Sequence, residues 1–276
     1  MRRSGPRSSP TELLVRGMTL SYLGVMVMLP LAALGIEAAG PGFGAFWKAL
    51  MNPFAWHALK LTFATALVMV LINVVMGTAT AWVLVRYPFP GKSFVNALID
   101  LPFAVPTVVT GLMLVALYGP SSVLGALLGR LGWDVIYQKP GIVLALLFVS
   151  YPFVIRSVQP VLLEMDQAEE EAAATLGARP LTIFRRVTFP TLWPAIVTGT
   201  ALAFSRALGE FGSVVMVAGN RPLETKTGPM YIFGEIESGN RHGAMVVSVV
   251  LLACSLGILI VLNRLQRPRP EEHSRP

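Results

Sequence analysis

Apolar residues run along this chain in long stretches that few charges interrupt, among them Arg156 toward the end of the fourth. They show neither the alternation of a half-buried strand nor the one-sided period of a surface helix. The stretches reach from about Met18 to Ile36, Leu61 to Val85, Asp100 to Tyr118, Gly141 to Leu163, Leu192 to Ala218 and Ala244 to Asn263. Each is long enough to cross the hydrocarbon layer, which takes about 20 residues. The second holds only Asn73 and small polar residues, and the third ends where Gly119-Pro120-Ser121-Ser122 turns the chain. The pattern predicts an all-α integral membrane protein of six transmembrane helices. Several spans carry helix breakers: Pro102 and Pro106 in the third, Pro152 and Pro160 in the fourth, Pro190 and Pro194 at the start of the fifth. A membrane tolerates such kinks because neighbouring helices and Ser/Thr side chains re-satisfy the freed carbonyls.

Composition agrees with burial in lipid. Of 276 residues, 54% are hydrophobic and 13% charged, with mean hydropathy +0.64, too poor in charge for an ordinary soluble domain. The net charge of +7 does not mark a nucleic-acid surface, because the basic residues sit at the ends of the apolar runs. Cys254 is the single cysteine, which excludes an intrachain disulfide and a cysteine-rich metal site. Arg2, Arg3, Arg7 and Arg16 before Gly17–Ile36 resemble a secretory signal. The apolar stretch is long for one, and five more come after it, so an uncleaved first span is expected.

With the amino terminus inside, fourteen basic residues fall on that side: Arg2, Arg3, Arg7, Arg16, Arg86, Lys92, Arg156, Arg179, Arg185, Arg186, Arg264, Arg267, Arg269 and Arg275. Seven fall outside: Lys48, Lys60, Arg130, Lys139, Arg221, Lys226 and Arg241. The asymmetry predicts both termini in the cytoplasm.

The connection between the fourth and fifth spans differs from the rest. Residues 164–190 read as two short helices with a turn. Asp166, Glu169, Glu170 and Glu171 load the beginning of the first, where the helix dipole favours anions. Gly177 is placed to end it as a left-handed C′ residue, and Pro180 suits the first turn of the second. By itself this reads as an amphipathic connector lying on the membrane surface. Glu171-Ala172-Ala173, three residues, Gly177, nine residues, then Val187-x-Phe189-Pro190 also resembles the EAA signature of ABC importer permeases. The family pattern closes on Ile-x-Leu-Pro, so Val187 and Phe189 are apolar replacements.

The resemblance implies the fold of binding-protein-dependent (type I) importer permeases. It makes Glu171, Ala172, Ala173, Gly177, Val187, Phe189 and Pro190 the coupling to a cytoplasmic ATPase. Alanines would admit close approach to the ATPase surface.

Further blocks resemble the sulfate and thiosulfate permeases of the CysT type. They are Trp82 with Arg86-Tyr-Pro-Phe-Pro-Gly91, Asp100-Leu-Pro-Phe-Ala-Val-Pro106-Thr107, Pro152-Phe-Val-Ile-Arg156-Ser-Val-Gln159-Pro160, Arg206-Ala-Leu-Gly-Glu210-Phe-Gly212 and Ala218-Gly-Asn220. The Arg206–Gly212 block resembles molybdate permeases as well. The Asp100 block and the long amino-terminal region favour the sulfate branch; within it the CysT-type subunit is the reading preferred over the related CysW type. The resemblance implies a bacterial inner-membrane, multi-pass protein with several partners. These are two copies of an ATPase, a second (CysW-type) permease subunit, a periplasmic sulfate/thiosulfate-binding protein and membrane lipid, with no nucleic acid. No cofactor and no chemistry of the chain's own are expected.

The expected divisions are a cytoplasmic segment at 1–17, a first span and periplasmic loop at 18–56, a permease core at 57–263 and a cytoplasmic tail at 264–276. A molybdate or tungstate importer is the alternative substrate reading. A gradient-driven carrier would leave the 164–190 segment without a role.

Other candidates fail. Gly91-Lys92-Ser93 is no phosphate loop, because the position that needs the first glycine holds Arg86, and Pro88 and Pro90 lack backbone N–H groups. His57, His242 and His273 have no metal-ligand spacing, and Ser205 has no base nearby in sequence. Arg206 and Glu210, four apart in the fifth span, should share a helix face. They are either a structural ion pair or part of the anion's path. The small-residue stripe of Gly199, Ala203 and Ala207 beside them favours tight packing.

The topology is open to direct test. Reporters active only outside the cytoplasm should be active when fused near Lys48, Arg130 and Arg221, and silent near Lys92, Gly177 and Arg267. An active fusion at Gly177 removes the coupling reading.

Overall fold

The computed structural model describes residues 10–265, which form helices and connections with no strand among them. Arg2, Arg3, Arg7, Arg267, Arg269, Arg275 and His273, with most of the 264–276 segment, lie outside the described residues.

The helices are α1 Pro10–Leu23, α2 Leu29–Ala39, α3 Phe43–Leu50, α4 Pro53–Arg86, α5 Lys92–Ala104, α6 Thr107–Tyr118 and α7 Val123–Arg130. After these come α8 Lys139–Glu164, α9 Gln167–Thr175, α10 Pro180–Ile183, α11 Phe189–Leu208, α12 Gly212–Ala218, α13 Gly228–Glu237 and α14 Arg241–Leu265.

Five rods are long and apolar enough to cross a membrane: Thr11–Ala39, Pro53–Arg86, Lys139–Glu164, Pro180–Leu208 and Arg241–Val261. The sixth expected span is different in kind. Its residues form two helices, α5 and α6, bent by 115°. The cause is local: Pro106 disfavours helical geometry in the residue before it, and Val105 is extended at φ −88°, ψ 129°. The expected single span from Asp100 to Tyr118 is therefore a bent pair. It also begins earlier, at Lys92.

Prolines shape two other rods without breaking them. Gly24–Met28 and Phe184–Thr188 are π turns, and each lies just before a proline, Pro30 and Pro190. A proline has no N–H to donate, and its ring crowds the carbonyl four residues back. Widening the preceding turn relieves that crowding and keeps the rod continuous. At the second site the Phe189 N–H bonds to the Phe184 carbonyl, five residues back. Consequently the second short helix expected between spans four and five is not separate. α10 runs through the π turn into α11 as one rod, Pro180–Leu208.

The fifth span also ends sooner than expected. α11 stops at Leu208, the chain turns at Gly209, and α12 starts at Gly212. The apolar residues from Leu192 to Ala218 resume directly after Arg206 and Glu210, which reads as one span carrying two charges and so conceals the turn.

The core is built on α8, which packs against α4 on one side and α11 on another. Val154, Ile155 and Val158 of α8 are fully buried, together with Ala81 of α4 and Leu192 of α11. Gly199 lets α11 approach α8 backbone to backbone: a Cβ there would lie 2.7 Å from Val154 Cα and 3.0 Å from the Phe153 carbonyl oxygen. Ala203 and Ala207 continue the contact and are buried, so the small-residue stripe is a packing face. A second cluster joins α12 to α4, α6 and α8, and a third joins α2 and α3 to α4, α13 and α14. By contrast, among the described residues nothing buries the apolar face of α1 and its π turn.

Replacing Gly199 by Leu should force α11 off α8 and destabilise the chain by about 3 kcal/mol, the upper end for an overpacked core. The check is the thermal unfolding midpoint of the purified protein in detergent. An unchanged midpoint would show that the helices do not meet there.

Candidate coupling segment and intramembrane ion pair

α9 is fixed at both ends by its own sequence. The Asp166 side chain caps it, accepting a hydrogen bond from the Ala168 N–H at 2.9 Å. Glu169 and Glu170 occupy the first turn, where the helix dipole favours them. At the other end Gly177 has φ +83°. Its N–H bonds to the Ala174 carbonyl at 2.9 Å, and the Ala178 N–H bonds to the Ala173 carbonyl at 3.1 Å. This paired arrangement closes the helix on a left-handed residue, where an L side chain is strained. Arg179, extended before Pro180, redirects the chain into the next rod.

No residue of α9 is buried. Glu171, Ala172 and Gly177 are exposed and Ala173 is half-buried. Leu176, at the turn, is 88% exposed, an apolar side chain standing free at the tip. Val187, Phe189 and Pro190 lie elsewhere, at the base of the Pro180–Leu208 rod. There Phe189 joins a chain of rings: Trp82 to Phe184 at 5.7 Å, Phe184 to Phe189 at 6.1 Å, and Phe189 to Trp193 at 5.5 Å. The segment therefore has two parts, an exposed helix with its tip and an aromatic root.

A contact that sequence reasoning missed ties these parts together. Glu170 Oε1 accepts from Arg86 Nη2 at 2.9 Å and from Thr188 Oγ1 at 2.7 Å. Arg86, the last residue of α4, also lies 5.3 Å from the Trp82 ring centre. Glu170 and Arg86 are separated by 84 residues, so no local spacing rule joins them. The available signals were a basic residue closing one span and surplus carboxylates in α9.

The Arg156 block and the Asp100 block also meet. Arg156 grips Asp100 with both prongs, Nε to Oδ1 at 2.8 Å and Nη2 to Oδ2 at 2.6 Å. It also donates to Gln159 Oε1 at 2.6 Å and to the Asn96 carbonyl at 2.9 Å. Two stretches that drew attention separately in the sequence are thus one polar joint between α5 and α8.

Arg206 and Glu210 do form an ion pair, Nη1 to Oε2 at 2.7 Å. The expected basis was a shared helix face, and that is corrected: Glu210 lies in the turn after α11. Its Oε1 accepts from the Ser213 N–H at 2.8 Å and from the Ser213 hydroxyl at 2.9 Å, which satisfies the beginning of α12. The carboxylate is 2% exposed and holds three donors, whereas the Arg206 side chain is 35% exposed. Glu210 thus joins two helices, with the half-buried Arg206 as its cation.

Among known proteins, the family described as "Binding-protein-dependent transport system inner membrane component" matches residues 74–271. The chain belongs to this family. It is 47% identical over 260 residues to a protein named a probable sulfate transport system permease protein cysT from Chlorokybus atmophyticus, covering 94% of this chain and 89% of the relative. It is 40% identical over 263 residues to the sulfate transport system permease protein CysT of Salmonella typhimurium, covering 95% of each. Among solved structures, a bacterial alginate ABC transporter, in complex with an alginate pentasaccharide-bound periplasmic protein, contains a chain that superposes with TM-score 0.75. That match has 18% identity and covers 93% of this chain and 95% of that one. A chain of the inward-facing MetNI methionine ABC transporter superposes at TM-score 0.57 and 18% identity, over 80% and 96% of the two chains. The type I importer permease fold expected from the EAA resemblance is therefore the fold observed.

The ion pair yields a test. Arg206→Gln leaves the buried Glu210 carboxylate without its cation but with both Ser213 donors, a loss of about 1–3 kcal/mol. The membrane level should fall. The double change Arg206→Gln, Glu210→Gln should restore that level, since the introduced amide oxygen still accepts from Ser213. Sulfate uptake by the double variant then separates the roles. Wild-type uptake makes the pair structural, and a stable variant that hydrolyses ATP without uptake places Arg206 on the anion's path.

Proposed function

We propose that this chain is the CysT-type permease subunit of an ATP-driven importer of sulfate and thiosulfate in a bacterial inner membrane. The relatives' names support the substrate, and the fold supports the ATP-driven class. The observation that carries the coupling mechanism is the exposed α9 tip, Glu171 to Gly177 with Leu176 uncovered, rooted in a transmembrane rod through Val187, Phe189 and Pro190.

In this reading both termini face the cytoplasm, and two ATPase copies dock on the importer, one of them at this tip. A second, CysW-type permease subunit completes the pathway, and a periplasmic binding protein delivers the anion. The chain catalyses no reaction. The divisions at 1–17, 18–56, 57–263 and 264–276 stand as part of the proposal. Closure of the ATPases on ATP would draw the tip and its counterpart together, and the rigid rods behind them would switch the opening of the pathway from one face to the other.

Gly177→Leu tests the docking. A branched side chain at φ +83° strains the closing turn, so α9 should lose its fixed presentation. The expected result is a permease that still inserts but retains about tenfold less ATPase on co-purification, a loss of about 1.4 kcal/mol. Sulfate uptake should fall with it. Unchanged co-purification and uptake would remove the docking site from this turn.

A further inference from the structure

The Arg86–Glu170–Thr188 contact occupies an unusual place. Among the described residues, Glu170 is the one side chain of α9 that hydrogen-bonds to another element. Its two donors come from the ends of two different spans: Arg86 closes α4, and Thr188 lies in the π turn that leads into α11. Both bonds converge on one oxygen, Oε1. The site is shielded, with Arg86 and Glu170 side chains only 11% and 20% exposed and Thr188 buried. Shielding limits screening by salt and water, so the ionic contact holds better here than on an open surface. Around it, the Trp82 ring lies beside Arg86 and meets Phe184 edge-on at 5.7 Å, packing the α4 end against the α11 root. The rest of α9 has no buried residue to hold it.

We propose that Arg86, Glu170 and Thr188 are positioning residues that form the joint through which displacement of α9 reaches α4 and α11 together. This rests on the reading of α9 as the coupling helix. A force on α9 reaches two spans through a single oxygen, by an ion pair to Arg86 and a hydroxyl hydrogen bond from Thr188, whereas the turn at Gly177 supplies no such tie. Severing the joint should leave the ATPase docked and hydrolysing ATP while the spans respond weakly.

The test uses the whole importer, reconstituted in vesicles with its second permease subunit, ATPase and binding protein. Three quantities are read: ATPase retained, ATP hydrolysed, and sulfate moved per ATP. Arg86→Gln should retain the ATPase and lower sulfate moved per ATP about tenfold, as expected for losing one charge-assisted hydrogen bond, and Glu170→Gln, which keeps the acceptor without its charge, should lower it severalfold. Thr188→Val should lower it less. The exchange Arg86→Glu with Glu170→Arg should recover most of the ratio, because the Thr188 hydroxyl can donate or accept. Glu170→Gln preserves an acceptor for both donors, so it carries the test even where Arg86→Gln does not accumulate.

A wild-type ratio in the single variants overturns the proposal, as does an exchange variant no better than they are. Loss of the ATPase from the single variants also overturns it, since the triad would then only build the docking surface. Leu176→Asp at the exposed tip examines the underlying reading separately. ATPase retained at wild-type level there would sink the coupling-helix assignment itself, an outcome distinct from any in the triad variants.

Discussion

Everything positioned at the α9 end of this molecule depends on how closely α4 and α11 can approach α8. Between helices in lipid there is no water to expel, so association rests on van der Waals contact and buried polar bonds. The chain secures contact by removing side-chain volume: Gly199 faces the backbone at Val154, and Ala81, Ala203 and Ala207 are buried along the same helix faces. Asn73 of α4 adds a polar bond, donating to the Ser150 carbonyl of α8 at 2.9 Å. Once both rods are fixed on α8, their ends are fixed too, and Arg86 and Thr188 come within reach of one carboxylate. Packing deep in the bundle thus decides where α9 sits.

Proline decides the shape of the rods around that centre, and its effect depends on what precedes it. Before Pro30 and Pro190 a widened turn absorbs the missing hydrogen bond, and the helix continues. Before Pro106 the chain becomes extended, and one expected span turns into two helices at 115°. At the end of α4, Tyr87 is extended before Pro88, which stops the helix at the residue that holds Glu170. The same residue type therefore continues a rod, bends one, and ends one where an ionic contact needs a terminus.

This explains which features were legible in the sequence. The long apolar runs announced the rods because lipid-facing and buried positions are both apolar, so composition alone marks a span. The α9 helix was legible because its cap, acidic first turn and C′ glycine are local signals. The break after Leu208 was not, since apolar residues continue through Phe211 to Ala218 and the stop is set by Glu210 bonding forward to Ser213. The 115° bend was concealed for a different reason: Pro106 was visible, but other prolines in this chain sit inside continuous helices, so the residue type alone does not say which one makes its predecessor extended. Arg86 with Glu170, and Arg156 with Asp100, are pairings across many residues, and only the tertiary fold brings them together.

The ion pairs follow a common arrangement. Asp100, Glu170 and Glu210 each lie in or beside a span, and each is matched by an arginine, Arg156, Arg86 and Arg206. An unpaired carboxylate is costly wherever water is scarce, because its field is poorly screened there. Pairing neutralises the charge while retaining the carboxylate as a joint between helices. The pairs differ in what they leave over. Glu210 spends both oxygens on Arg206 and Ser213 and is buried, whereas Arg206 stays one-third exposed. At that pair the buried carboxylate secures the start of α12 to the end of α11, and the arginine that neutralises it is the more accessible partner.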